Sequence, residues 1–163
     1  MSRVKIYGWN ALDYYFKKNK RRFACKSLTQ FKNYVLQKGI PLAEEKYAAQ
    51  IEAYDKYFKE EIEKEITLDI LNILKLPCVY GGKCIRIEEV PETDIGRISE
   101  LSEALGLSQM DGYTLCILCF IEKDLKAPSI TKAHCSRWIA KFDAFLTLRG
   151  KIIPLLIEFD RNE

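Results

Sequence analysis

Tyr113 to Glu122 reads YTLCILCFIE, and the reading of this stretch decides the fold. Leu115 to Ile121 is apolar without interruption, with Gly106, Asp111 and Gly112 close upstream. A run so short, bounded by breakers and rich in Ile, Phe and Cys, reads as a strand buried on both faces. Both faces then need cover, and the amphipathic segments on either side are the available material.

Working outward, Ser129 opens a helix with the stripe Cys135, Trp138, Ile139, Phe142, Phe145 and Leu146, ended by Gly150. Residues 151–159, KIIPLLIEF, read as a last strand, which Pro154 pushes toward an edge because it lacks a donor. Upstream, Thr93 or Asp94 caps a helix bearing Ile95, Ile98, Leu101 and Leu105, stopped by Gly106. Residues 77–90 read as a hairpin turning at Gly81 and Gly82. From residue 83 onward the order is strand, helix, strand, helix, strand, whose short connections favour parallel strands with right-handed crossovers.

The N-terminal part reads differently. Residues 3–8 form a short strand with Val4 and Ile6 on one face. Asn10 then caps a helix carrying Leu12, Tyr15 and Phe16. Ser27, with Gln30 three residues on, caps a second helix with the stripe Leu28, Phe31 and Val35; Gly39 ends it and Pro41 starts the next. Between Pro41 and Leu76, Tyr47, Ile51, Tyr54, Phe58 and Ile62 mark one helical face. Unbroken, that helix would reach roughly 50 Å at about 1.5 Å per residue, so a break between Glu65 and Thr67 is expected. The expected class is α+β in one domain. Residues 1–76 form a helical half, packed on a small, mostly parallel sheet of β-α-β-α-β order in 77–163.

Apolar residues at 48% and charged residues at 30% are values of a folded globular chain. The mixed opening MSRVKIYGWN argues against a secretory signal, and the longest apolar run is far short of the ~20 residues that span a bilayer. Cys25, Cys78, Cys84, Cys116, Cys119 and Cys135 sit mostly in apolar segments and read as reduced thiols. A cytoplasmic protein without membrane association is expected.

Several motifs invite chemistry. Residues 97–108, RISELSEALGLS, resemble the first helix and turn of a helix-turn-helix reader, in the spacing of Leu101, Gly106, Leu107 and Ser108. The resemblance implies a recognition helix from Gln109, yet an acid, a glycine and an apolar run follow, where a groove reader needs donors and positive charge. Cys116 and Cys119 have metal-knuckle spacing, but in a strand residues three apart point to opposite faces. Cys78 and Cys84 flank the expected Gly-Gly turn and read as neighbouring core thiols. His134 beside Cys135 diverges from it by about 100° on a helix, so it is not placed as that thiol's base. Glu122-Lys123-Asp124 resembles the acid-x-lysine strand end of metal-dependent, restriction-endonuclease-like nucleases, with the lysine one place early. No phosphate loop, nucleophile elbow or zinc-protease helix occurs. The expectation is a non-catalytic protein with no cofactor and no metal.

One asymmetry points at a partner. Residues 1–40 hold ten Lys or Arg against the single acid Asp13, a net of +9, while the remainder carries −6. Lys17, Lys18, Lys20, Arg21 and Arg22 fall within six residues, among eight of the chain's nineteen aromatics. Cations interleaved with π-faces suit a nucleic-acid strand. Phosphate contacts are assigned to those five residues, and Trp9 and Phe23 are candidate stacking faces. The competing reading is a protein–protein adaptor or self-assembling protein that uses the 42–76 helix; a metal-dependent nuclease ranks third.

Overall fold

The computed structural model describes residues 1–56 and 84–161. Strand β1 (Ser2–Gly8) is followed by α1 (Asn10–Asn19), a 3-10 turn (Lys20–Phe23), α2 (Leu28–Lys46) and α3 (Ala48–Tyr54). Then come β2 (Cys84–Val90), α4 (Glu92–Leu105), α5 (Gln109–Lys123) and α6 (Ser129–Arg161). Among the described residues these six helices accompany one two-stranded antiparallel sheet, with Ser2 opposite Val90 and Gly8 opposite Cys84.

The expected parallel C-terminal sheet is therefore wrong. YTLCILCFIE lies inside α5, and KIIPLLIEF lies inside α6, which runs on through Gly150 and Pro154. A short apolar run fits a strand buried on two faces and a helix buried all round equally well, and only the length of the whole element separates them. Here Ser108 settles the matter. Its Oγ accepts the Asp111 N–H at 3.1 Å, which starts a fifteen-residue helix ahead of the apolar run. Every residue from Asp111 to Cys119 is buried.

Glycines that read as breakers are helix crossings. Gly39 does not end α2; the helix continues through it and through Pro41 to Lys46. A Cβ at Gly39 would fall on the Cys116 carbonyl of α5, and one at Gly112 would fall on the Ser102 hydroxyl of α4. Both positions thus let a neighbouring helix approach α5 more closely than a side chain would permit. Gly106 alone ends a helix as expected, capping α4 at φ +69°.

Around α5 the other elements follow their apolar faces. The Ser27 cap forms as the sequence predicts, its Oγ accepting the Gln30 N–H at 3.1 Å. Val4, Ile6 and Val90 turn the inner face of the sheet toward the core, and Lys32 of α2 reaches Glu88 of β2 at 2.7 Å. Tyr47, with φ −109°, separates α2 from α3 and donates its hydroxyl to Asp143 of α6 at 2.7 Å. On α3, Tyr54 donates to Glu103 of α4 at 3.2 Å. Phe58, Ile62, the expected break at Glu65–Thr67, Cys78 and the Gly81–Gly82 turn lie outside the described residues. No single helix among the described residues is long and apolar enough to cross a membrane.

Candidate nucleic-acid interface

Helix α1 buries Leu12, Tyr15 and Phe16, which fixes where its remaining residues point. Tyr14, Lys17 and Lys18 recur at i, i+3 and i+4 and share one outward row on α1. The chain passes through Asn19 (φ −107°, ψ −4°) into the 3-10 turn, where Arg21 extends the run of exposed cations. All four are exposed, and Lys20 beside them is half-buried. Lys18 Nζ donates to the Tyr14 hydroxyl at 3.0 Å and lies 5.3 Å from its ring centroid. Among the described residues no carboxylate pairs with Lys17, Lys18, Lys20 or Arg21.

Arg22 is different. It stays exposed, but both of its terminal nitrogens donate to Asp124, at the end of α5. Asp124 also accepts the Tyr15 hydroxyl at 2.9 Å and the Lys126 N–H at 3.0 Å. Burial alone would raise the Asp124 carboxyl. The hydrogen bonds from Arg22, Tyr15 and Lys126 outweigh it and hold the group below its ordinary value. Burial, together with the Asp124 bond, raises the Tyr15 hydroxyl. Among the described residues, this pair and Lys32–Glu88 occupy two of the ten cations in residues 1–40, and the two acids, Asp124 and Glu88, lie outside the 42–76 stretch.

The two proposed stacking rings part company. Trp9 packs at 5.1 Å from His134 and 5.5 Å from Trp138, at the junction of α1 and α6. Burial, helped by Arg137, lowers the His134 pKa to about 4, so that ring is neutral at pH 7. Trp9 is an internal aromatic contact. Phe23 stacks on buried Phe31 at 5.3 Å, with centroids 5.6 Å from Tyr34 and 5.7 Å from Phe120. Phe23, Tyr34 and Phe120 are each half-buried and together line a groove of about 630 Å³. Leu42 and Leu125 extend its apolar lining, and Arg22, Lys38, Lys123 and Lys126 stand around it.

The sequence offered no view of this groove, because its parts come from the turn after α1, from α2, from the end of α5 and from the α5–α6 connection. One signal was present. Phe120 is the single half-buried residue between Asp111 and Ile121, a position that only a helical reading would single out.

The other motifs resolve structurally. Helices α4 and α5 are bent by 102° about the three residues Gly106 to Ser108, which is helix-turn-helix geometry. The second helix is nonetheless buried from Asp111 to Cys119, so it offers no recognition face to the major groove of a duplex. Cys116 and Cys119 lie on a helix rather than a strand and so share a face; burial raises the Cys116 thiol and pushes Cys119 up to about 12. Cys135 is likewise raised to about 12 by burial. Burial thus favours the protonated, less nucleophilic form of all three thiols. Glu122-Lys123-Asp124 closes a helix, not a strand, with Glu122 at 3.5 Å from Lys46 and Asp124 committed to Arg22. Among the described residues no three His, Cys, Asp or Glu side chains gather as a metal site.

Buried Arg149 of α6 is explained by helix α4. Its Nη1 donates to the Ala104 carbonyl at 3.2 Å, and the guanidinium lies against Gly106, where a Cβ would clash. It caps the negative end of that helix. No protein-family model, no curated protein and no solved structure matches this chain.

Proposed function

We propose that this protein is a small non-catalytic, cytoplasmic, nucleic-acid-associated protein that attracts phosphates through the row Lys17, Lys18 and Arg21, with Lys20 beside it. The single observation that carries the reading is the exposure of that row without a carboxylate partner among the described residues. Cations already neutralised in the fold release no counterions when a polyanion binds; these four are available to do so. Arg22 and Trp9 leave the set of direct phosphate and stacking residues: Arg22 positions the turn through Asp124, and Trp9 is packed against His134 and Trp138.

The adaptor reading rests on the Tyr47–Ile62 face. Its described part turns inward, since Tyr47 is buried and Tyr54 bonds to α4. That weighs toward the first reading.

Retention on immobilised heparin at low ionic strength tests the proposal. The native protein should be held and elute only with salt. Lys17→Glu, Lys18→Glu and Arg21→Glu combined should pass through, with an unchanged circular dichroism spectrum because all three side chains are exposed. Passage of the native protein at low salt would end the reading.

A further inference from the structure

We infer that the groove beneath Phe23, Tyr34 and Phe120 is a base-stacking subsite, so that the ligand is single-stranded nucleic acid rather than duplex. The inference rests on the nucleic-acid reading above and names what that reading leaves open. Four features of the groove support it.

First, its lining combines three aromatic rings with cations. Arg22 lies 4.7 Å from the Phe23 centroid and Lys38 lies 5.9 Å from that of Tyr34. Bases stacked on such rings bring their phosphates within reach of the surrounding lysines, and every base has a π-face, so the site needs no particular sequence. A duplex keeps those faces inside its own stack.

Second, the charge is complementary to an unpaired strand. Lys38, Lys123 and Lys126 are exposed on the rim. The one acid in the lining, Asp124, is neutralised by Arg22 and saturated by Tyr15 and Lys126 N–H, so it offers little repulsion to phosphate.

Third, Leu125 stands 87% exposed at the lip, between Asp124 and Lys126 in the loop after α5. It exceeds every other large apolar side chain in exposure among the described residues. An apolar side chain held out beside the rings adds apolar surface for a splayed base to cover.

Fourth, the groove adjoins the cationic row, because Phe23 and Arg22 follow Lys20 and Arg21 directly in the 3-10 turn. A strand tracking Lys17, Lys18 and Arg21 is delivered to the rings. Because every base presents a π-face whatever its sugar, a deoxyoligonucleotide is a sufficient probe of stacking.

The test is fluorescence anisotropy with three labelled ligands of equal length: an oligothymidine strand, its abasic counterpart and a blunt duplex, with polyglutamate as competitor. Oligothymidine should bind between about 5-fold and about 150-fold more tightly than the abasic strand, the stacking contribution of one ring–base contact. Phe120→Ala should narrow that ratio. Leu125→Ser should narrow it too, and its exposed position keeps the comparison valid if Phe120→Ala does not fold. Glutamate reversal of Lys17, Lys18 and Arg21 should weaken both strands while keeping their ratio. Equal affinity for oligothymidine and the abasic strand, tighter binding of the duplex, or displacement by polyglutamate as efficient as by oligothymidine would each overturn the subsite and leave the cationic row standing. Absence of binding to every probe would remove the row, and the subsite with it.

Discussion

Asp124 is the residue on which the turn after α1 depends. It takes hydrogen bonds from Arg22, Tyr15 and the Lys126 backbone at once, joining two segments about a hundred residues apart in sequence. Asp124→Asn keeps the shape and removes the charge, so it should cost about 1–3 kcal/mol at pH 7 by urea denaturation. The pH dependence has a definite sign. The folded carboxyl sits below its ordinary 3.8, so its contribution is complete above about pH 4 and is lost as pH falls through the lower folded value. The native protein and Asp124→Asn should therefore converge in stability toward pH 2, and a gap that stays constant from pH 7 to pH 2 would contradict this account. Nothing in the sequence exposed the network. Arg22 reads as one more cation in a basic run, and Asp124 as a polar residue beside a lysine, until the fold brings them together.

At the scale of elements, α5 is organised by what glycine allows at two crossings. Gly39→Ala should destabilise by about 1–3 kcal/mol despite the better helix propensity of alanine, because the backbone carbonyl of Cys116 has nowhere to move. Gly150→Ala is the control. Its site is open, with nothing within 4 Å, and the same substitution should stabilise α6 by about 0.5–1 kcal/mol. Thermal unfolding of the two variants checks both signs, and the same sign for both would mean that α2 and α5 do not cross as described. Local chemistry was legible where it is self-contained: β1, the Ser27 cap, the Gly106 stop and the Cys135–Leu146 stripe all appear where the residues place them. It was not legible where tertiary packing decides. The apolar run of α5 carries no period that separates strand from helix, and Gly39, Gly150, Pro41 and Pro154 have breaker chemistry that the packed helices override.

For the whole molecule, charge is the property on which the proposed function rests. The excess of cations in residues 1–40 was visible in the sequence; which of them stay available was not, since that depends on Asp124 and Glu88, acids far along the chain. Among the cations of that segment without a carboxylate partner in the described residues are the three exposed ones Lys17, Lys18 and Arg21, with Lys20 beside them, leading to a groove of half-buried rings. Its most direct test is the dissociation constant for an oligothymidine strand measured across a series of salt concentrations. If Lys17, Lys18, Lys20 and Arg21 each meet a phosphate, the logarithm of the association constant should fall against that of salt with a slope of roughly −3, about fifty-fold between about 50 and about 200 mM. Reversal of Lys17, Lys18 and Arg21 to glutamate should flatten it. A native slope near zero, or one that the reversal leaves unchanged, would contradict the account.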